Sequence, residues 1–273
     1  PRGMELLRST VLDESLPADE RRGLVLYAGL YAGDAEALLL ELLGSPSAIL
    51  RAEAIRALGR VPAAGRGPDF YARYLADESA DVRRGAGQVL SRLGGPGRHG
   101  SPAAEAFFSS AGLGALLESP HSDVRLLAVR LGSLLAPPQR DDLLVDACLD
   151  SDVTVRCEAI RRLAMAGTDT GLEIAARSLD DPDEKITMAA IQGLSMRPSA
   201  EAVAALRDFS KRCRNPAIRP LVAAALLRLN RSVNAATQSD AVPVVPAPAR
   251  RTPAAETASP RWPLSAPSRS GGR

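Results

Sequence analysis

The stretch DSDVTVRCEAIRRL, residues 150–163, decides the fold. It opens with a turn rich in Asp and Ser, continues with an apolar residue followed by Arg156, and places Ala three and Leu seven residues after that Arg. Positions −1, +3, +4 and +7 from Arg156 share one face of a helix, because an α-helix turns about 100° per residue. All four are apolar, so the stretch predicts a helix that begins after Asp152 and buries one face.

The same pattern recurs along the chain at a nearly constant interval. Its anchor positions are 51, 83, 125, 156, 187 and 219, spaced 32, 42, 31, 31 and 32 residues apart. A weaker copy lies one period upstream, in residues 18–31, and the long interval contains the breaker-rich run GGPGRHGSP, residues 94–102. A period of this length is typical of repeat proteins. The anchor residues are Arg51, Arg83, Arg125, Arg156, Thr187 and Arg219.

Each anchor segment follows another amphipathic stretch, so each unit is predicted to be a hairpin of helix A and helix B. One hairpin cannot bury its own apolar face, whereas stacked hairpins build a continuous core. No stretch alternates with period two, so no sheet is expected. The fold class predicted is all-α, a right-handed α-solenoid of about seven hairpins spanning residues 1–230. The expected units are residues 4–32, 34–61, 67–94, 102–136, 138–166, 169–196 and 199–230, with a Gly/Pro-rich insertion at 95–102.

The composition agrees with this architecture. Among 273 residues, 45% are hydrophobic but only 3% are aromatic, so the core must consist mainly of Ala, Leu, Val and Ile. A net charge of +2 is too small to predict a polyanionic partner by itself. Residues 231–273 contain seven Pro and more Arg than Asp and Glu, with no helical period. They are predicted to form a disordered, basic, Pro-rich tail.

The expected location is the cytoplasm. The chain has no run of about 18 apolar residues that would cross a membrane, and no signal-peptide segment near its start. Its three cysteines are an odd number without a CxxC pair, which indicates reduced thiols. Because the first residue is Pro1 and not Met, further repeats preceding it stay possible.

The repeated motif Asp-x-x-Val-Arg-x-x-Ala-x-x-x-Leu resembles that of HEAT repeats. The period of about 31 residues is similar to the short bacterial type that is also found in phycobilin lyases. The resemblance covers residues 4–230. It implies that helix B lines the concave surface, and that the anchor Arg pairs with a turn Asp of an adjacent unit. The residues of this structural ladder are Arg51, Arg83, Arg125, Arg156 and Arg219.

Positions +1, +5 and +9 from each anchor point away from the core and are the candidate concave binding surface. The first half of this surface is cationic and the second half is apolar. An alternative interpretation is that some of these side chains pack against the neighbouring helix B. The polar and charged candidates are Arg56, Arg60, Arg84, Gln88, Arg92, Arg130, Arg161 and Gln192, and the apolar candidates are Leu134, Met165, Met188 and Met196.

These rows favour a non-enzymatic scaffold that binds a protein or peptide, acidic and partly apolar, on its concave face. Thioethers adapt to different partners, which suits an exposed Met/Leu patch. One alternative is a nucleic-acid-binding protein, conceivably with base-excision activity as in HEAT-like alkylpurine glycosylases. The arginine row supports it, and the scarcity of stacking aromatics opposes it. A second alternative, a bilin lyase, follows from the family resemblance alone.

No catalytic, cofactor or metal site is expected. The chain lacks a nucleophile–base pair, metal-ligand spacing, a P-loop and a dinucleotide-binding glycine motif. Its only histidines are His99, in the Gly-rich insertion, and His121, beside a helix start. Cys148 and Cys157 lie on the two helices of one unit and are expected to act as small buried hydrophobic residues.

Overall fold

A computed structural model describes residues 2–30, 32–61, 66–94 and 102–240, and in these ranges all regular structure is helical. The predicted all-α solenoid is confirmed. None of the described helices is both long and apolar enough to cross a bilayer. The helices are α1 (Arg2–Leu12), α2 (Ala18–Ala28), α3 (Ala32–Leu42), α4 (Ala48–Leu58), α5 (Pro68–Ala72), α6 (Ala80–Leu93), α7 (Pro102–Phe107), α8 (Ser110–Leu117), α9 (Ser122–Gly132), α10 (Gln139–Ala147), α11 (Val153–Ala166), α12 (Asp169–Ser178), α13 (Glu184–Met196), α14 (Ala200–Arg212) and α15 (Arg219–Asp240).

The helices form seven successive units. The B helices are α2, α4, α6, α9, α11, α13 and α15, and each packs against the B helix of the next unit. Two A segments are irregular: a 3-10 helix, Arg73–Ala76, continues α5, and α7 and α8 together precede α9. Contacts between units join successive neighbours, as expected for a quasi-one-dimensional repeat protein.

The periodic apolar positions of the B helices form the core. In α11, Val155, Ala159, Ile160 and Leu163 are all buried, and they occupy positions −1, +3, +4 and +7 of the motif. The same four positions are buried in α4, α6 and α9. Glycine replaces the larger apolar residue at position +4 of α6 and at position +7 of α9. The predicted core face is therefore observed.

Short polar side chains start several helices, because they satisfy backbone N–H groups that have no partner inside the helix. Asp152 accepts from the Thr154 N–H at the start of α11, and Asp183 accepts from the Lys185 N–H at the start of α13. Ser109, Thr168 and Ser199 cap α8, α12 and α14 in the same way.

The last helix extends past the predicted end of the solenoid. Helix α15 runs to Asp240, whereas the sequence placed the start of the tail at residue 231. Residues 231–240 contain neither Pro nor Gly, so nothing in them stops a helix before the first proline at position 243. The rest of the predicted tail, residues 241–273, lies outside the described residues, as do residues 95–101 of the insertion with His99.

Candidate functional site

The anchor side chains hold the turn that precedes each B helix. In five units the anchor residue donates a hydrogen bond to the backbone carbonyl six residues earlier, and these carbonyls belong to the turn between helices A and B. The five bonds are Arg51 to Ser45 (3.0 Å), Arg83 to Asp77 (2.8 Å), Arg125 to Ser119 (2.9 Å), Arg156 to Asp150 (2.7 Å) and Thr187 to Asp181 (3.2 Å).

Three anchor arginines also pair with a carboxylate of the following unit. Arg51 bonds to both oxygens of Asp77 at 2.9 and 3.1 Å, and Arg125 bonds to both oxygens of Asp150 at 2.8 and 2.9 Å. Arg83 reaches the exposed Asp123, with Nε 3.0 Å from Oδ2. These arginines are structural, as the resemblance implied, and they are occupied by contacts within the chain.

The expected ladder is incomplete at two positions. Arg156 donates to the carbonyls of its own turn but makes no ion pair with a described carboxylate. Arg219 is exposed and its guanidinium bonds to no described residue, because it begins the last B helix and no described unit follows it. Arg156 therefore lacks the ion pair with a turn Asp that the resemblance implied.

The Arg125–Asp150 pair should make stability depend on pH. Hydrogen bonds from Arg125 hold the pKa of Asp150 below its ordinary value in the folded protein. Since the folded pKa is lower than the unfolded one, the pair contributes fully above about pH 5, and its contribution is lost as the pH falls through the folded pKa. We expect stability between about pH 5 and pH 2 to fall more steeply in the wild type than in Asp150→Asn. Urea unfolding at several pH values measures this, and parallel curves would contradict it.

A groove on the face formed by the B helices collects most of the cationic candidates. It lies along α4, α6 and α9 and has a volume of about 620 Å³. Six arginines and a single carboxylate line it, and that carboxylate already pairs with Arg83. The groove therefore carries a clear excess of positive charge. Its lining residues are Arg56, Arg60, Leu75, Arg83, Arg84, Gly87, Gln88, Ser91, Arg92, Asp123, Val124, Leu126, Leu127 and Arg130.

The candidate arginines differ in how far they are available to a partner. Arg60, Arg84 and Arg130 are exposed, as are Gln88 and Arg92. The guanidinium of Arg60 contacts no described acidic residue, and Arg84 pairs only with the equally exposed Asp81 of its own helix. Arg130 lies 3.8 Å from the buried Glu158 while remaining more than half exposed. Arg60 and Arg84 can therefore approach an incoming anion without losing a buried partner.

Arg56 and Arg161 are placed differently from the sequence-based expectation. Arg56 is half-buried and donates to Glu53 (2.9 Å) and to the carbonyl of Asp81 (3.4 Å), which ties α4 to α6. Arg161 is also half-buried and contacts Glu158. Burial, with Arg162 and Arg130 nearby, lowers the pKa of Arg161. Both arginines belong to the scaffold because a carboxylate beneath each of them is almost completely buried.

Those two buried carboxylates were missed by the sequence analysis. Glu53 accepts from Arg22 of the preceding B helix at 3.0 Å, and Glu158 accepts from Arg162 at 3.0 Å. Both glutamates stand two residues after an anchor Arg and have another Arg three residues later. That spacing places Glu and Arg on the same side of a helix and could have identified the pairs.

The apolar half of the candidate surface is only partly exposed. Leu134 and Met196 are each 49% exposed, and Gln192, which lies on α13 with Met196, is exposed as well. Met165 and Met188 are half-buried. None of these residues lines the arginine groove. Five of the six cationic candidates therefore share one concavity, whereas Arg161 and the apolar candidates do not line it.

The described residues do not assemble a recognisable catalytic group. His121 precedes α9 without capping it through its side chain. Burial raises the pKa of the Cys148 thiol to about 12, and burial followed by the charge of Asp183 raises that of Cys157. Neither thiol is therefore ionised near neutral pH. No group of three potential metal ligands occurs within the described ranges.

A family model of known repeat proteins matches the helical repeat described above. The family model for HEAT repeats matches residues 110–195 and, in an overlapping register, residues 141–228. No curated protein matches the sequence significantly.

Three solved structures are similar in fold. The Escherichia coli protein YibA matches at 18% identity with a TM-score of 0.54, over 83% of this chain and 92% of that chain. An archaeal HEAT-like repeats protein from Thermococcus onnurineus NA1 has 19% identity and a TM-score of 0.48, over 84% and 98% of the two chains. The CpcE–CpcF complex of phycocyanin lyase from Nostoc sp. PCC7120 has 20% identity and a TM-score of 0.35, over 77% and 94%.

At 18% identity, the match to YibA indicates the fold and not the activity. The repeated motif, the stacked hairpins and the matching repeats from residue 110 to residue 228 lead to one assignment. Residues 110–228 of this chain match the HEAT-repeat family.

Proposed function

We propose that this protein is a non-enzymatic interaction scaffold whose concave groove binds an acidic segment of another protein. The observation that supports the proposal is the arginine excess in the groove along α4, α6 and α9. Concave grooves lined by one sign of charge focus the electrostatic potential and attract ligands of the opposite sign. Arg60 and Arg84 are exposed and lack buried partners, and Arg130 stays more than half exposed beside Glu158, so all three side chains are accessible to an anion.

The cationic groove also fits the phosphates of a nucleic acid. Against this candidate, none of the groove-lining side chains is aromatic, whereas proteins that bind single strands stack bases on aromatic rings. Base-excision and bilin chemistry have no supporting group among the described residues, so neither is proposed. The absence of enzymatic activity and the cytoplasmic location stay predictions from the sequence.

A triple variant tests the groove. The variant combines Arg60→Glu, Arg84→Glu and Arg130→Glu, which changes the net charge of the groove-lining residues from positive to negative. Binding of an acidic peptide should therefore weaken at least about tenfold. The probe is a fluorescein-labelled 12-residue peptide of alternating Glu and Ser, and fluorescence anisotropy at about 50 mM salt measures the Kd.

The matched control places the same charge change elsewhere. Arg177 and Arg207 lie on A helices and Arg214 lies in the turn before α15, and all three are exposed. Arg177→Glu, Arg207→Glu, Arg214→Glu should keep the wild-type Kd within about twofold if the groove, and not net charge, binds the peptide. Circular dichroism should show equal helicity in all three proteins. Equal losses in both triple variants would refute the groove.

A further inference from the structure

The arginine groove has an apolar floor at one particular place in the repeat array. It lies between α6 and α9, where the anchors are 42 residues apart and not 31 or 32. Leu75, Val124 and Leu127 form the floor and are buried in the core, and the half-buried Leu126 lies beside them. The widest spacing between anchors therefore coincides with a groove that reaches down to core side chains.

Gly87 keeps this floor open. A Cβ atom at position 87 would lie 3.3 Å from Cδ2 of Leu127, which is tighter than usual contact. The glycine on α6 thus packs closely against Leu127 of α9, and a larger side chain at this position must extend into the groove that Gly87 lines. Any larger side chain would occupy space that the groove now offers to a ligand.

Charged groups surround the apolar floor. The Arg83–Asp123 ion pair spans from α6 to α9 near the start of both helices. Arg92 and Arg130 stand in the last turns of α6 and α9, and Arg60 follows the end of α4. A ligand on the floor is therefore enclosed by positive charge along the length of these helices.

We infer that the acidic partner segment inserts one aliphatic side chain between α6 and α9, while its flanking carboxylates contact the arginine rim. The inference rests on the proposed function and specifies its ligand. A volume of about 620 Å³ lies within the range of small-ligand sites, and it can hold one side chain with its adjacent backbone. An aliphatic group suits the floor because Leu75, Val124 and Leu127 offer it no hydrogen-bonding side chain.

A neighbouring groove fits the anchor less well. It lies along α2, α4 and α6, has a volume of about 480 Å³ and is lined by four arginines and by the carboxylates of Glu53 and Asp81. Oε2 of Glu53 is buried there and has no hydrogen-bond partner among the described residues. With two carboxylates against four arginines, this groove has a smaller excess of positive charge than the groove with six arginines and one carboxylate, which favours the gap between α6 and α9 for the anchor.

Two peptides of the same charge test the anchor. One is the alternating Glu–Ser 12-mer, and the other has Leu in place of the Ser at its sixth position. Since burying a leucine side chain is favourable by about 1.5–3 kcal/mol, the Leu peptide should bind the full-length protein at least about tenfold more tightly. Anisotropy titration measures both Kd values, with a 12-residue oligo-dT as competitor.

Variants of the floor give the second comparison. Gly87→Val fills the space over Leu127 and should bring the Kd of the Leu peptide to that of the Ser peptide, leaving the Ser peptide unaffected. Gly114→Val is the control, because no atom lies within 4 Å of a Cβ at this position of α8. If Gly87→Val fails to fold, Leu126→Ser provides the same comparison with a side chain that is only half-buried.

The outcomes separate this inference from the proposed function. Equal affinity for the two peptides, both lowered by the groove triple variant, overturns the anchor and keeps the acidic-segment scaffold. No measurable binding of either peptide overturns both. Tighter binding of oligo-dT than of the Leu peptide replaces them with a nucleic-acid ligand. The anchor is supported if the Leu peptide binds more tightly than the Ser peptide to the wild type and to Gly114→Val, but not to Gly87→Val.

Discussion

Replacing Arg125 by Met is expected to lower the free energy of unfolding by about 3 kcal/mol. Nε and Nη2 of Arg125 bond to the two oxygens of Asp150 at 2.8 and 2.9 Å, and the side chains are only 13% and 7% exposed. The variant leaves Asp150 buried with the N–H of Asp152 as its remaining hydrogen-bond donor. It also removes the bond to the carbonyl of Ser119. Urea unfolding followed by circular dichroism measures the loss.

Arg156→Met is the matched control for this prediction. Arg156 occupies the same position of the next unit and bonds to turn carbonyls, but it has no carboxylate partner. Its replacement should cost only about 1 kcal/mol, the usual contribution of a hydrogen bond. If both variants lose the same stability, the ion pair between units contributes little, and the bonds to turn carbonyls explain the Arg in the motif.

Adding one methyl group at Gly193 is expected to destabilise the protein by about 2 kcal/mol. Gly193 lies where α13 meets α11, and a Cβ there would stand 2.6 Å from Cβ of Ala164 and 2.8 Å from the carbonyl oxygen of Arg161. The oxygen belongs to a helix backbone and cannot move aside alone. Gly193→Ala must therefore separate two B helices that share the core. Thermal unfolding followed by circular dichroism gives the shift in Tm.

Gly23→Ala shows the opposite effect of the same substitution. Gly23 lies inside α2, and a Cβ at this position would meet no atom within 4 Å. Since Ala favours a helix interior over Gly by about 1 kcal/mol, this variant should be more stable than the wild type by up to that amount. A loss of stability in Gly23→Ala, or none in Gly193→Ala, would contradict the close helix packing.

Much of the fold could be read from the spacing of Arg, Ala and Leu. The motif around Arg156 identified the B helix and its buried positions, and the intervals between anchors gave the number of units. These features depend on helical geometry and on a local period, which a sequence displays directly. The end of the last helix was misplaced because the tail was delimited by composition, while residues up to Asp240 contain no helix breaker.

The site was only partly predictable. Arg60, Arg84 and Arg130 were placed correctly on the helix surface by their positions relative to the anchors. Arg56 and Arg161 occupy equivalent positions, yet each contacts a buried glutamate of its own helix. The sequence assigned these five arginines, at positions +1, +5 and +9 from their anchors, to one surface, because position on a helix fixes direction but not the partner that a side chain meets.

The sequence by itself determined the repeat, the helical hairpins, the apolar face of each B helix and the anchor at the turn, since all four arise from residues close together in the chain. Only the tertiary structure decided which arginines are free, where the ladder of ion pairs stops, and that the groove reaches buried leucines between α6 and α9. Those properties depend on side chains of successive units meeting across an interface, and the distance between two helices is set by packing and not by spacing along the chain.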